Sequence, residues 1–246
     1  MQIGILIIGD EILSGRRQDK HLEYVIHTLA QRHLTLAWAR YVGDDEANLI
    51  NNFSNIATQG DLCFSFGGIG ATPDDITRQC VARALDLPIV RHPGAIGEIE
   101  AQFGDKTYPH RIRMADLPDG AGLIPNPRNR IPGFTIGHIH CLPGFPEMAW
   151  PMLEWVLENH YPDLRGTETV HYILKVHNAH ESELIPLMEQ IQRDYPTLRI
   201  SSLPKFLAKG QSEIELGFKG DEVTVNAACD AIATELRERG LEISPM

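Results

Sequence analysis

Phe64-Ser65-Phe66-Gly67-Gly68-Ile69-Gly70-Ala71-Thr72-Pro73-Asp74-Asp75-Ile76-Thr77 decides how the rest of the chain is read. The apolar residues Leu62, Cys63, Phe64 and Phe66 have the composition of a buried strand. Gly67, Gly68 and Gly70 follow, and glycine permits positive φ and lets a ligand approach bare backbone. Thr72 suits a helix N-cap, Pro73 the first helical position, and Asp75 an acidic version of the capping box. Ile76, Cys80, Val81, Ala84 and Leu85 continue at helical spacing. Strand, glycine turn and helix start in succession offer free N–H groups to an anion. A tight connection into a capped helix accounts for the same residues without a ligand, so the motif takes its meaning from context. It lacks the Gly-Lys-Ser/Thr of a Walker loop, and its spacing is not that of the dinucleotide fingerprint.

The same alternation extends upstream. Residues 2–8 are near-continuously aliphatic, as expected of a strand covered on both faces, and end at Gly9-Asp10-Glu11. Asp19 precedes a predicted helix with Leu22, Val25, Ile26 and Leu29 on one face. Residues 34–42 predict a second strand ending at Gly43-Asp44-Asp45, and the next helix carries Leu49, Ile50, Phe53 and Ile56. Repeated strand–helix alternation predicts a three-layer α/β/α domain around a mostly parallel sheet. Ligands gather at the carboxyl edge of such a sheet. Asp10/Glu11, Asp44/Asp45 and Asp74/Asp75 each lie just beyond a predicted strand, so parallel strands bring all of them to one edge. Grouped carboxylates suit Mg²⁺, which combines a few of them with phosphate oxygens; solvated turn residues are the alternative.

Farther along, Lys106, His110, Arg111 and Arg113 make a local basic patch, either a phosphate contact or a solvated face. Residues 124–134 are Pro/Gly-rich and predict an ordered loop, residues 135–142 a strand, and Met148, Met152, Trp155 and Val156 one face of a helix. A composition shift at residues 161–166 divides the chain into residues 1–165 and 166–246. In the second part, strands at 169–176, 198–203, 212–218 and 241–243 with helices from His180-Glu181 and over 223–239 predict the β-α-β-β-α-β ferredoxin-like motif. It holds no catalytic constellation.

With 246 residues, 43% hydrophobic and 22% charged, the composition is that of a globular protein. The net charge of -11 disfavours nonspecific nucleic-acid binding, because no Lys/Arg excess exists to displace counterions. No apolar run reaches membrane-spanning length, and residues 3–8 lack the basic flank of a signal peptide. Cys63, Cys80, Cys141 and Cys229 lack paired spacing, so free buried thiols in a cytoplasmic protein are expected and a zinc site is not.

Gly9-Asp10-Glu11-Ile12-Leu13-Ser14-Gly15 with Asp19, then Val42-Gly43-Asp44-Asp45, then the stretch from Gly67 to Thr77 together resemble the molybdopterin-binding (MoCF) domain. Asn126-Pro127, Pro132-Gly133-Phe134 and Leu142-Pro143-Gly144-Phe145-Pro146-Glu147-Met148 are similar to later motifs of one subgroup, the N-terminal part of competence/damage-inducible protein A. The likeness covers about the first two-thirds of the chain closely and the remainder by architecture. The chain departs from the subgroup's usual residues at Lys20-His21, Ala71, Asn129-Arg130-Ile131 and around Arg113-Met114.

This resemblance implies a divalent-metal-dependent pyrophosphatase acting on ADP-ribose-like nucleotides. It implies Mg²⁺ or a similar ion at Asp10, Asp44, Asp45 and Asp75, with Asp74 and Asp75 as catalytic carboxylates. Phosphate or substrate contacts then fall to Gly67, Gly68, Gly70, Thr72, Ser14, Asn126 and Gly144. The alternative is a non-catalytic or cofactor-biosynthetic module that keeps the pocket for molybdopterin or a nucleotide; a structural remnant is the third reading. A small-molecule partner, a homo-oligomer, and no nucleic-acid or membrane partner are expected. The nicotinamide-nucleotide deamidase domain that often follows in the family is not expected in a chain of this length.

Overall fold

The computed structural model describes residues 1–206 and 212–245. The elements up to residue 166 are Ile3–Ile8 (β1), Asp10–Leu13 (α1), His21–Ala30 (α2), Trp38–Val42 (β2), Glu46–Gln59 (α3), Leu62–Phe66 (β3) and Thr77–Ala84 (α4). They continue with Ile89–Arg91 (β4), Pro93–Phe103 (α5), Asp116–Pro118 (β5), Gly122–Ile124 (β6), Gly133–Ile136 (β7), Ile139–Leu142 (β8) and Pro146–Asn159 (α6). The main sheet has the order β2-β1-β3-β8-β7-β6. Its first four strands are parallel and β7 and β6 antiparallel. Ile3 lies opposite Leu62 and Ile7 opposite Phe66, so β1 and β3 end together.

The sheet is doubly covered because alternate side chains of each strand serve different cores. Ile3, Ile5 and Ile7 join Leu62, Phe64 and Phe66 beneath Val25 and Leu29 of α2 and Met152, Leu153 and Val156 of α6. Leu6, Ile8 and Cys63 face the other way, onto Leu49 and Phe53 of α3, Val81 of α4 and Ile99 of α5. The aliphatic run of residues 2–8 thus has the burial of a central strand with both faces occupied.

Three local expectations are corrected. The second strand begins at Trp38, not at residue 34, because the N–H of Leu34 still bonds to the carbonyl of Leu29. The strand expected over residues 135–142 is a hairpin, β7 and β8, folded at Gly137-His138, where Gly137 takes a φ of 56°. The helix expected from Thr72 starts five residues later, at Thr77. Asp75 does reach back to the N–H of Thr72, at 2.8 Å, but it closes a separate turn instead of capping a helix. Short carboxylates compete with helix hydrogen bonds in this way.

The chain divides into two compact units, Met1–Gly166 and Thr167–Met246. The second contains Val170–His177 (β9), Glu181–Asp194 (α7), Arg199–Phe206 (β10), Ser212–Gly220 (β11), Glu222–Glu238 (α8) and Glu242–Pro245 (β12). Its antiparallel sheet has the order β10-β11-β9-β12, as the split β-α-β motif requires. Its core is its own, built from Leu174, Val176, Leu187, Ile214, Phe218 and Ile232 among others.

Candidate functional site

The carboxyl ends of β1, β2, β3 and β8 meet at one edge and are tied together by backbone. Gly9 N–H donates to Val42 O, and Gly67 N–H donates to Leu142 O, each at 3.0 Å. A cavity of about 810 Å³ opens there. It is lined by the whole loop from Gly67 to Thr72, by Glu11, Asp44, Asp74 and Asp75, and by the basic residues Arg16, Arg17 and Lys20. Asn126 and Gly144 close it from the β6–β7 loop and the end of β8.

The glycine loop is held by its carbonyls. The Thr77 hydroxyl donates to Gly67 O at 3.0 Å, and Thr77 N–H donates to Gly68 O at 3.0 Å. Arg78, only 2% exposed, donates from one guanidinium nitrogen to Ile69 O and from another to Gly70 O, the latter at 2.6 Å. Burial works against the charge of Arg78, and the nearby Asp75 carboxylate offsets part of that. Every carbonyl from Gly67 to Gly70 is therefore satisfied from within. Among the described residues nothing accepts from the N–H groups of Gly68, Ile69, Gly70 or Ala71. Gly67 and Gly68 have φ of 109° and 67°, and their conformation follows from this inward turn of the carbonyls. A Cβ on Gly68 would strike the Thr77 hydroxyl. That glycine is required by the loop's own anchoring, in addition to any ligand above it.

The acidic wall is less uniform than its sequence pairs imply. Asp10 and Asp44 are bonded reciprocally: Asp10 N–H donates to Asp44 Oδ2 at 3.1 Å, and Asp44 N–H to Asp10 Oδ1 at 3.2 Å. Burial raises the pKa of Asp44, and the negative charges of Asp10, Glu11 and Asp74 raise it further. Asp45 is engaged elsewhere, capping α3 through the N–H of Asn48 at 2.8 Å. Asp10 and Asp45 lie outside the cavity lining. Ser14 is also outside it and accepts from Arg16 Nε at 3.3 Å. Asp75 uses Oδ2 for both the N–H and the hydroxyl of Thr72, and among the described residues nothing donates to Oδ1. Asn126 lines the cavity, but its amide is engaged in its own loop with Ile131 O and Arg128 N–H.

The basic residues of the site are not those of the sequence patch. Lys106, His110, Arg111 and Arg113 lie outside the lining, where Arg111 stacks on Phe103 at 4.5 Å and donates to Lys106 O. Arg16 and Arg17 line the cavity instead. Their only sequence signal is position: two arginines just after the Gly9–Gly15 motif that ends a central strand. His21, 4% exposed, also lines the cavity and stacks on Phe66 at 4.3 Å. Burial lowers its pKa, so it is neutral at neutral pH, with Nε2 near Gly144 O at 3.3 Å.

A cavity at the carboxyl edge of a parallel sheet, walled by backbone N–H groups, defines a small-molecule binding protein of the α/β class. Residues 4–165 match the family described as "Probable molybdopterin binding domain", and the chain belongs to that family. Within it the chain is similar to CinA-like proteins. It is 35% identical over 165 residues to one from Anaeromyxobacter sp. (strain K), covering 64% of this chain and 40% of that protein. It is 29% identical over 249 residues to one from Geobacter metallireducens, covering 97% of this chain and 60% of that one. The chain thus spans less than two-thirds of the length of either relative. A solved structure of CinA from Thermoplasma acidophilum, described as of unknown function, aligns with a TM-score of 0.59 at 25% identity. That alignment covers 65% of this chain and 98% of the other. No helix among the described residues is long and apolar enough to cross a membrane.

Proposed function

We propose that the cavity binds a nucleotide pyrophosphate of the ADP-ribose type and that the protein hydrolyses it with a divalent cation. The observation that carries this reading is the backbone from Gly67 to Ala71. Its carbonyls are turned inward, and among the described residues four successive N–H groups are left without an acceptor in a cavity wall. Successive N–H groups of this kind match the oxygens of a phosphate.

The neighbouring carboxylates give the reason for a cation. Among the described residues, no basic side chain forms an ion pair with Asp10, Glu11, Asp44 or Asp74. A polyanionic ligand beside them would be repelled unless that charge were balanced. The donors are hard oxygens, which suits Mg²⁺ or Mn²⁺. Among the described residues no three His, Cys, Asp or Glu side chains form a ready-made metal cluster. Asp44 and the free Oδ1 of Asp75 would therefore supply part of the shell, and phosphate oxygens and water the rest. Bound there, the cation would polarise the phosphoryl oxygens and lower the pKa of a coordinated water. The chain's own part is to hold the diphosphate by backbone N–H groups and to present Asp74 on the same wall as an acceptor for the water's proton. The water oxygen bonds to one phosphorus, the P–O–P bridge breaks, and a nucleoside monophosphate and a sugar phosphate leave.

Incubation with ADP-ribose and Mg²⁺ or Mn²⁺, with AMP and ribose 5-phosphate resolved by chromatography, tests this. Turnover is expected to stop on chelation and to fall at least a hundredfold in Asp74→Asn. Absence of turnover with either cation rejects hydrolysis. Binding without turnover selects the second reading, a module that holds molybdopterin or a nucleotide. That reading is favoured by the cavity-lining positions Lys20, His21, Ala71, Asn129 and Ile131, where this chain departs from the subgroup's usual residues.

A further inference from the structure

We propose that Arg17 and Phe145 form a subsite for the planar heteroaromatic ring of the ligand, a purine or a pterin. This rests on the reading that a small phosphorylated molecule occupies the cavity, but not on its hydrolysis. The Arg17 guanidinium carbon lies 4.8 Å from the centroid of the Phe145 ring. Both residues line the cavity. Phe145 is 49% exposed, one of the large apolar side chains that the fold leaves open to solvent. Arg17 makes no ion pair among the described residues, although carboxylates are near in the same wall. The fold therefore leaves a planar cation lying over an aromatic ring, with the outer faces of both open to solvent, at a cavity that also carries free N–H groups.

Phosphate recognition accounts for an arginine but not for an exposed phenylalanine. A sugar hydroxyl can accept from the arginine but does not call for the phenylalanine. A flat ring accounts for both, because it stacks on the phenylalanine face and on the guanidinium plane alike. The backbone under both side chains is fixed before a ligand arrives. Pro143 and Pro146 flank Gly144-Phe145 and fix their own φ angles. The Phe145 carbonyl accepts from Met148 N–H at 3.0 Å and from Ala149 N–H at 2.9 Å as α6 begins. On the other side Arg17 N–H donates to Glu11 O at 3.0 Å. Neither backbone needs to be ordered by the ligand, so the ordering cost falls on the side chains alone.

AMP and ribose 5-phosphate separate this proposal from the hydrolytic one, because neither has a P–O–P bridge to cleave. Titration calorimetry on the full chain would compare them, with neopterin as the pterin probe. Phe145→Leu is expected to weaken AMP or neopterin binding about tenfold, within the range of base–aromatic stacking. Ribose 5-phosphate affinity is expected to stay within about twofold. Phe145→Tyr should retain ring binding. Arg17→Lys keeps the charge but loses the planar fork, so it should weaken the ring ligands and spare ribose 5-phosphate. An unchanged melting temperature in Phe145→Leu confirms that the half-exposed side chain was not holding the fold. Equal loss for ribose 5-phosphate and the ring ligands, no loss for any of them, or no ring binding by the unmodified protein overturns the subsite.

Discussion

At the scale of single residues, the site shows charge and geometry kept against the interest of stability. The raised pKa of Asp44 means that the fold favours its neutral form relative to the unfolded chain. Any stabilisation from such a group is present below its unfolded pKa and lost as pH rises through the folded one. At neutral pH its ionised carboxylate therefore opposes folding. Asp44→Asn keeps an acceptor for the Asp10 N–H and removes the charge. It is expected to leave the melting temperature unchanged or raise it, while the effect of Mg²⁺ on phosphate binding disappears. Thermal unfolding with and without Mg²⁺ and ADP-ribose checks both halves. Gly68 behaves in the opposite way. Its φ of 67° and the Thr77 hydroxyl in the place of a Cβ mean that alanine would strain the loop itself. Gly68→Ala is expected to cost about 1–3 kcal/mol in urea unfolding and to weaken phosphate binding too. Unchanged stability would show that the loop can rearrange around a side chain.

At the scale of elements, the loop between β3 and α4 owes its shape to the helix behind it. Arg78 sits on the first turn of α4 and spans the carbonyls of Ile69 and Gly70. Arg78→Met leaves two carbonyls without their charged donor, so a loss of about 2–3 kcal/mol is expected, with phosphate affinity falling in parallel. Chemical unfolding and calorimetric titration of the same variant measure the two. Strand β8 carries a second buried polar group, His140, which is 0% exposed. Its Nε2 lies 2.9 Å from the Tyr161 hydroxyl, and burial lowers its pKa to about 3. The unfolded chain takes up a proton below about pH 6.5, and the folded chain does not until about pH 3. Stability is therefore lost as pH falls through that window, by about 2 kcal/mol between pH 7 and pH 5. In His140→Gln this part of the slope should vanish, which urea titrations at the two pH values would reveal.

These elements also mark what the sequence made legible. Strands β1 and β3, the glycine turn between β3 and α4, and the shared edge follow from aliphatic runs ending in Gly-Asp and Gly-Gly. The late start of α4 was hidden because Thr72 and Asp75 satisfy the same pattern whether they cap a helix or close a turn. Nothing in the sequence marks Arg78, because only tertiary packing places the carbonyls of Ile69 and Gly70 around it. Of the two readings of the basic patch at residues 106–113, the position outside the cavity lining fits the solvated face. Clustering along the chain records local charge, whereas Arg16 and Arg17 reach the cavity through the end of β1.

At the scale of the molecule, the two units separate by core, and that leads to a prediction about autonomy. The buried side chains of Met1–Gly166 form two clusters on either face of the main sheet, and those of Thr167–Met246 form a third built wholly from their own elements. Among the described residues, those lining the cavity all fall at or before Met148. A unit of 166 residues is large enough to bury a self-sufficient core, and the Thermoplasma structure is matched over 98% of its length by 65% of this chain. The end of the unit is tied down as well. Gly166 N–H donates to Arg32 O at 3.0 Å, and Arg32 Nη1 donates to the carbonyls of Leu157 and Tyr161, each at 3.0 Å. A fragment of residues 1–166 is therefore expected to unfold cooperatively on its own and to bind AMP within about twofold of the full chain. A fragment of residues 1–158 loses Tyr161, and with it the hydroxyl that His140 faces and one of the carbonyls held by Arg32. It is expected to melt several degrees lower than the longer one. Calorimetric melting and AMP titration of both fragments test the boundary. A fragment 1–166 without a cooperative transition would mean that the first unit depends on the second for its fold, despite having a complete core.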